Sequence, residues 1–77
     1  MSVTVEDAAE VAGKAAAAEF QYGMDGIPYT KAEAKVFMDG QRHWRFNAIA
    51  WNGNRSQYKE RFNRAYDAAF LAALGLA

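Results

Sequence analysis

The chain has 77 residues, no cysteine, one histidine, and nine basic against nine acidic side chains, so its formal net charge is zero. That composition leaves no thiol for a disulfide, too few ligands for a usual zinc site, and none of the overall basicity that marks nucleic-acid-binding domains. At this size the protein is one domain whose folding buries roughly 60% of the surface exposed when unfolded, which makes self-association as a homodimer the expected source of added stability.

The neutrality conceals a segregation. From residue 1 to 29 one basic side chain, Lys14, stands against Glu6, Asp7, Glu10, Glu19 and Asp25; from residue 30 onward there are eight basic and four acidic side chains. No run of apolar residues is long enough to cross a bilayer, and the opening "MSVTVEDAAE" is acidic where a signal peptide is basic and then apolar. The expectation is a cytoplasmic protein, inside a host cell, with no membrane segment. Alanine dominates the hydrophobic fraction and eleven aromatics carry most of its area, so the core is expected to be aromatic plugs set among alanines.

In chain order, residues 4–22 read as a helix. Thr4 followed three residues later by Asp7 resembles a capping box, and Val5, Ala8, Ala9, Ala12, Ala16 and Phe20 recur at helical spacing. Gly23, Gly26 and Pro28 in "YGMDGIPY" stop it and make a connecting loop.

Residues 30–51 admit two readings. In the favoured one Met38-Asp39-Gly40 is the loop of a β-hairpin, which pairs Val36 with Arg42, Ala34 with Trp44 and Ala32 with Phe46 on an inner face. Lys35 then opposes His43 and Glu33 opposes Arg45 on the outer face, and Trp44 goes into the core. In the alternative, Ala34, Phe37, Gln41, Trp44, Ala48 and Trp51 form one helical stripe, and Gly40 costs about 1 kcal/mol relative to alanine in a helix interior. Scarcity of β-branched residues favours the helix. After the loop "NGNRS", a final helix is expected over 55–75 from Tyr58, Phe62, Ala65, Ala69 and Ala72, widened by Tyr66, Phe70, Ala73 and Leu74, with Glu60 and Arg64 paired outside. The predicted fold class is therefore α+β, a helix, a two-stranded antiparallel hairpin and a helix; an all-α arrangement of three or four helices is the alternative.

Two resemblances follow from these readings. With the hairpin, the order helix, hairpin, helix and the stretch "AKVFMDGQRHWRFNAIA" resemble the small head-completion proteins of lambda-like phages, the W type, which implies a structural role joining head to tail connector. With the helix, "PYTKAEAKVFMDGQ" resembles the P-Y … W-x-x-G-W pattern of ribosome modulation factors, with Phe37 at the first tryptophan position and Gly40 at the glycine, which implies ribosome binding.

Candidate chemistry is sparse. Carboxylates are scarce around His43, Ser2 and Ser56 are remote from it in sequence, and Glu6, Asp7 and Glu10 suit the start of a helix through its dipole rather than a metal. No catalytic, metal or cofactor residue is predicted. The candidate binding set is Arg42, His43, Arg45, Trp51, Arg55, Lys59, Arg61 and Arg64, because arginine and tryptophan together suit protein interfaces and also phosphate contact with base stacking. The expected function is that of a small non-enzymatic binding protein of phage or mobile-element type, docking on a larger host protein or ribonucleoprotein complex as a regulator or inhibitor, for instance of host defence. The alternatives are a virion head-tail component and a nucleic-acid or ribosome binder.

Overall fold

A computed structural model describes residues 3–77, and among them it contains three helices and no strand: α1 Val5–Met24, α2 Lys31–Asn47 and α3 Ser56–Ala73. The α+β expectation is thereby corrected to the all-α alternative. The segment predicted as a hairpin over 30–51 is instead mostly α2, with Asp39-Gly40 in its middle.

Each helix is started by local chemistry. Thr4 caps α1, its hydroxyl accepting from the Asp7 N–H at 3.0 Å while the Asp7 carboxylate accepts from the Thr4 N–H. Thr30 and Glu33 repeat the device on α2, at 3.1 Å and 3.0 Å. This second capping box decides the middle segment: it starts a helix well before Gly40, and alanines and long side groups then propagate it. A Cβ on Gly40 would meet nothing within 4 Å, so this glycine faces open space and its helix cost stays near the intrinsic value. Asp39 is not a turn residue here. It pairs with Arg42 one turn on, at 2.5 Å.

α1 ends where Asp25 and then Gly26 turn left-handed, at φ 49° and 83°, and Pro28 prevents continuation. α3 lacks a side-chain cap from its own N-cap residue, and Asn54 substitutes by accepting from the Ser56 N–H and hydroxyl.

α1 and α3 run in the same direction, since Glu6 meets Arg61, Gly13 lies against Tyr66 and Phe70, and Phe20 reaches Phe70. α2 runs the opposite way, with Met38 against Tyr66 and Phe46 against Phe62. The inner face of α1 is small: Ala9, Gly13, Ala16 and Ala17 are all buried. That lets the α1 and α3 backbones approach so closely that a Cβ on Gly13 would sit 2.6 Å from the Tyr66 carbonyl oxygen.

The core is an aromatic ladder laid along α3 against those alanines. Phe62, Tyr66 and Phe70 stack with centroids 5.8 Å and 6.4 Å apart. Phe20, Tyr29 and Phe37 close one end, Phe46 and Trp51 the other. The Tyr66 hydroxyl donates to the Met38 carbonyl at 3.0 Å, and burial pushes this phenol up to about 12. From the expected stripes, Val5, Ala9, Ala16, Phe20, Phe62, Tyr66 and Phe70 are buried, whereas Ala72 is exposed.

Two further expectations for α2 are corrected. Trp44 and Val36, assigned to the inner hairpin face, are 51% and 74% exposed; Ala34, Met38 and Phe46 supply the buried face at helical spacing instead. Arg45, assigned outward, has a side group only 12% exposed. The reason is periodicity: alternation by two and repetition by 3.6 agree on Ala34 and Phe46 but send Trp44 and Arg45 to opposite sides.

Candidate functional site

The eight residues of the predicted binding set do not form one surface. Arg42, on α2, donates through Nε and Nη2 to the Asp67 carboxylate of α3, both at 2.9 Å, and also to Asp39. Arg45 donates to Gln41 at 2.8 Å and to Glu19 of α1 at 2.5 Å. Arg61 makes a two-pronged pair with Glu6 at 2.8 Å and 2.7 Å. Arg64 pairs with Glu60 on the outer face of α3, as the spacing predicts.

Trp51 is half-buried, its indole N–H donating to the Phe46 carbonyl at 2.9 Å and its ring stacked on Tyr58 at 5.3 Å. It is a structural residue of the α2–α3 loop. Arg55 and Lys59 are exposed at the start of α3 and have no carboxylate partner among the described residues. His43 is exposed, and its Nε2 lies 2.9 Å from Asn47 Nδ2. The structure does bring Arg42, His43 and Lys59 to one small cleft of about 160 Å³ between α2 and α3, with Asp39, Phe46 and Asn63. Its charge is nearly balanced, because Asp39 and Asp67 already face Arg42.

Two ion pairs bridge the charge segregation of the sequence within the fold. Acidic α1 is tied to α3 by Glu6–Arg61 and to α2 by Glu19–Arg45. Arg61's hydrogen bonds hold the Glu6 carboxyl down at about 2, from its ordinary 4.5. Five of the nine cations have a carboxylate partner among the described residues.

Between α1 and the end of α2 runs a groove of about 600 Å³, lined with the small side groups of Ala8, Ala12, Ala15 and Ala48. Val3 and Val11 flank it on the α1 side, Trp44 and Ile49 on the α2 side. Val3, Val11 and Trp44 are 74%, 69% and 51% exposed, so three large apolar groups face water around one depression. Arg45 of the predicted binding set also lines this groove: its guanidinium lies 4.6 Å from the Trp44 ring centroid and is itself fixed by Glu19 and Gln41. Asp7 lines one end of the groove and has no cation partner among the described residues.

The sequence holds a signal for this groove. Ala8, Val11 and Ala15 repeat at three and four residues, a second apolar stripe beside the core stripe of α1. Reading α1 with one buried face masks the stripe, and the hairpin register masks Trp44. Among the described residues no group of three or more His, Asp or Glu side groups is gathered to hold a metal, and no helix is long and apolar enough to cross a membrane. Compared with protein-family models, with curated proteins and with solved structures, the protein matches none.

Proposed function

We propose that this is a small non-enzymatic binding protein that docks on a larger host protein, alone or within a ribonucleoprotein complex, as its regulator or inhibitor, in the manner of accessory proteins of phages and mobile elements. The observation that carries this reading is the groove between α1 and α2, where Val3, Val11 and Trp44 stand exposed around an alanine floor. Tryptophan and arginine, here Trp44 and Arg45, are residue types enriched in interface hot spots. The occupant is an amphipathic helix of the partner: small residues along the groove allow a helix backbone to come close, with its apolar face between Val11 and Trp44. That helix carries a basic residue toward one end, against the charge of Asp7.

A photoreactive group placed at Ala15, with a second variant carrying it at Arg64 on the far side of α3, tests this in bacterial lysate. The expected result is a single adduct from position 15, lost when Val11 is changed to lysine, whose cross-linked peptide proves amphipathic with a basic end. An adduct of two copies of this protein would overturn it in favour of a homodimer. Cross-linking from position 64 alone would place the interface elsewhere, and an adduct found only in purified phage particles would make the protein a virion component.

The nucleic-acid reading has less to work with. Arg42, Arg45, Arg61 and Arg64 each have a carboxylate partner and would have to exchange it for a phosphate. Absence of RNA binding even at about 50 mM salt, where counterion release most favours it, would close that alternative.

A further inference from the structure

We propose that Asn52 is a site of spontaneous deamidation, and that the reaction loosens the loop which holds Trp51 and one wall of the groove. Four asparagines lie in the described residues, and their settings differ. Asn47 closes α2 with its amide against His43, Asn63 is inside α3, and the Asn54 side group accepts from Ser56 and precedes Arg55. Asn52 alone is followed by glycine, lies outside a helix, and is exposed. Gly53 has φ +82°, and a Cβ there would touch only the Gln57 side-chain amide, at 3.7 Å, so nothing crowds the backbone around it. Among the described residues neither the Asn52 carboxamide nor the Gly53 N–H makes a hydrogen bond; only the Asn52 backbone carbonyl is engaged, by the Tyr58 hydroxyl at 2.9 Å.

The chemistry needs only water. The Gly53 amide nitrogen, deprotonated by hydroxide, attacks Cγ of Asn52; the new C–N bond forms as the Cγ–Nδ2 bond breaks, and ammonia leaves with the proton returned from solvent. The resulting cyclic imide is opened by water at either carbonyl. One opening gives aspartate; the other gives isoaspartate, in which the backbone runs through the Asn52 methylene. Nothing is oxidised or reduced, and one amide plus one water becomes one carboxylate plus ammonium. Glycine matters because it has no Cβ to hinder the attack and lets the backbone rotate into it.

The lengthened backbone lies directly between Trp51 and the Tyr58 contact. Isoaspartate moves the Asn52 carbonyl away from the Tyr58 hydroxyl and adds a charge beside the Trp51–Tyr58 stack. Ile49, three residues earlier, belongs to the same loop and flanks the groove.

Incubating the full-length protein at mildly alkaline pH tests this by intact mass and peptide mapping. The expected result is a gain equal to the exchange of NH for O, confined to position 52 and absent in Asn52→Gln, with a rate within about threefold of the urea-unfolded protein because the native loop offers no protection. A native rate more than about tenfold slower than the unfolded one, or first reaction at another asparagine, would overturn the site. The structural consequence is read from Trp51 fluorescence in Trp44→Phe: a shift that tracks the isoaspartate fraction is expected, and an unchanged spectrum at full conversion would overturn the loosening.

Discussion

Two glycines on neighbouring helices show how far residue identity depends on what a side group would meet. Gly13 has the Tyr66 carbonyl oxygen 2.6 Å from its virtual Cβ and the Ala69 Cβ at 2.9 Å, so any larger residue forces α1 and α3 apart. Gly40 has nothing within 4 Å. Gly13→Ala is expected to destabilise by about 2 kcal/mol through overpacking, although alanine is the better helix former. Gly40→Ala should stabilise by about 1 kcal/mol and raise Tm by roughly 4–8 °C. Thermal melts of the two variants check both, and a stabilised Gly13→Ala would refute the close approach. The outcome at Gly40 also distinguishes the helix from the hairpin, because a left-handed turn glycine would be damaged by alanine. Sequence alone could not rank these two residues: Gly13 stands inside a helical pattern and Gly40 in a segment that reads as hairpin or helix, and only the packed helices show what each would meet.

At the level of elements, α1 is held to its neighbours by ion pairs as well as by the alanine face. Glu6 and Arg61 join the starts of α1 and α3, and the Glu6 carboxyl sits at about 2 in the folded protein against 4.5 ordinarily. A carboxyl whose folded value is depressed binds fewer protons than the unfolded protein does, so its contribution is full above about pH 4.5 and is lost as pH falls toward 2. Acid titration of wild type and Glu6→Gln should therefore converge at low pH and diverge above that window. Both side groups are half exposed, so the difference should shrink with added salt. The capping boxes belong to this scale too. Thr4–Asp7 is legible as a signature, and Thr30–Glu33 is the same pattern, but the Asp-Gly pair downstream draws a local reading of the segment toward a hairpin. In the folded protein the start signal outweighs one interior glycine.

For the whole molecule, ion pairs stitch the three helices together, two of them joining the acidic first part of the sequence to the basic remainder. Reversing Arg42, Arg45 and Arg64 separately to glutamate should divide them. Arg42→Glu places a third carboxylate beside Asp39 and Asp67 in a partly buried setting, and Arg45→Glu sets one against Glu19; each is expected to cost about 2 kcal/mol or more. Arg64→Glu, on an exposed i,i+4 pair, should change stability by less than about 0.5 kcal/mol. Chemical denaturation reads the three directly, and equal effects would contradict this division of roles. The groove needs α1 and α2 side by side and has no single-segment signature apart from the stripe Ala8, Val11, Ala15.

By itself, the sequence determined the two outer helices within a few residues, the first cap, the stop at Gly26 and Pro28, and the aromatic-on-alanine character of the core. All of these depend on interactions within a few residues or on composition. The tertiary structure alone decided which aromatic goes where and which arginine is spent on the fold: Trp51 against the core and Trp44 out of it, Arg45 under Glu19, Gly13 against Tyr66. Those choices follow from the direction in which α2 returns past α1 and α3, a property of three helices packed together that no single stretch of sequence holds alone.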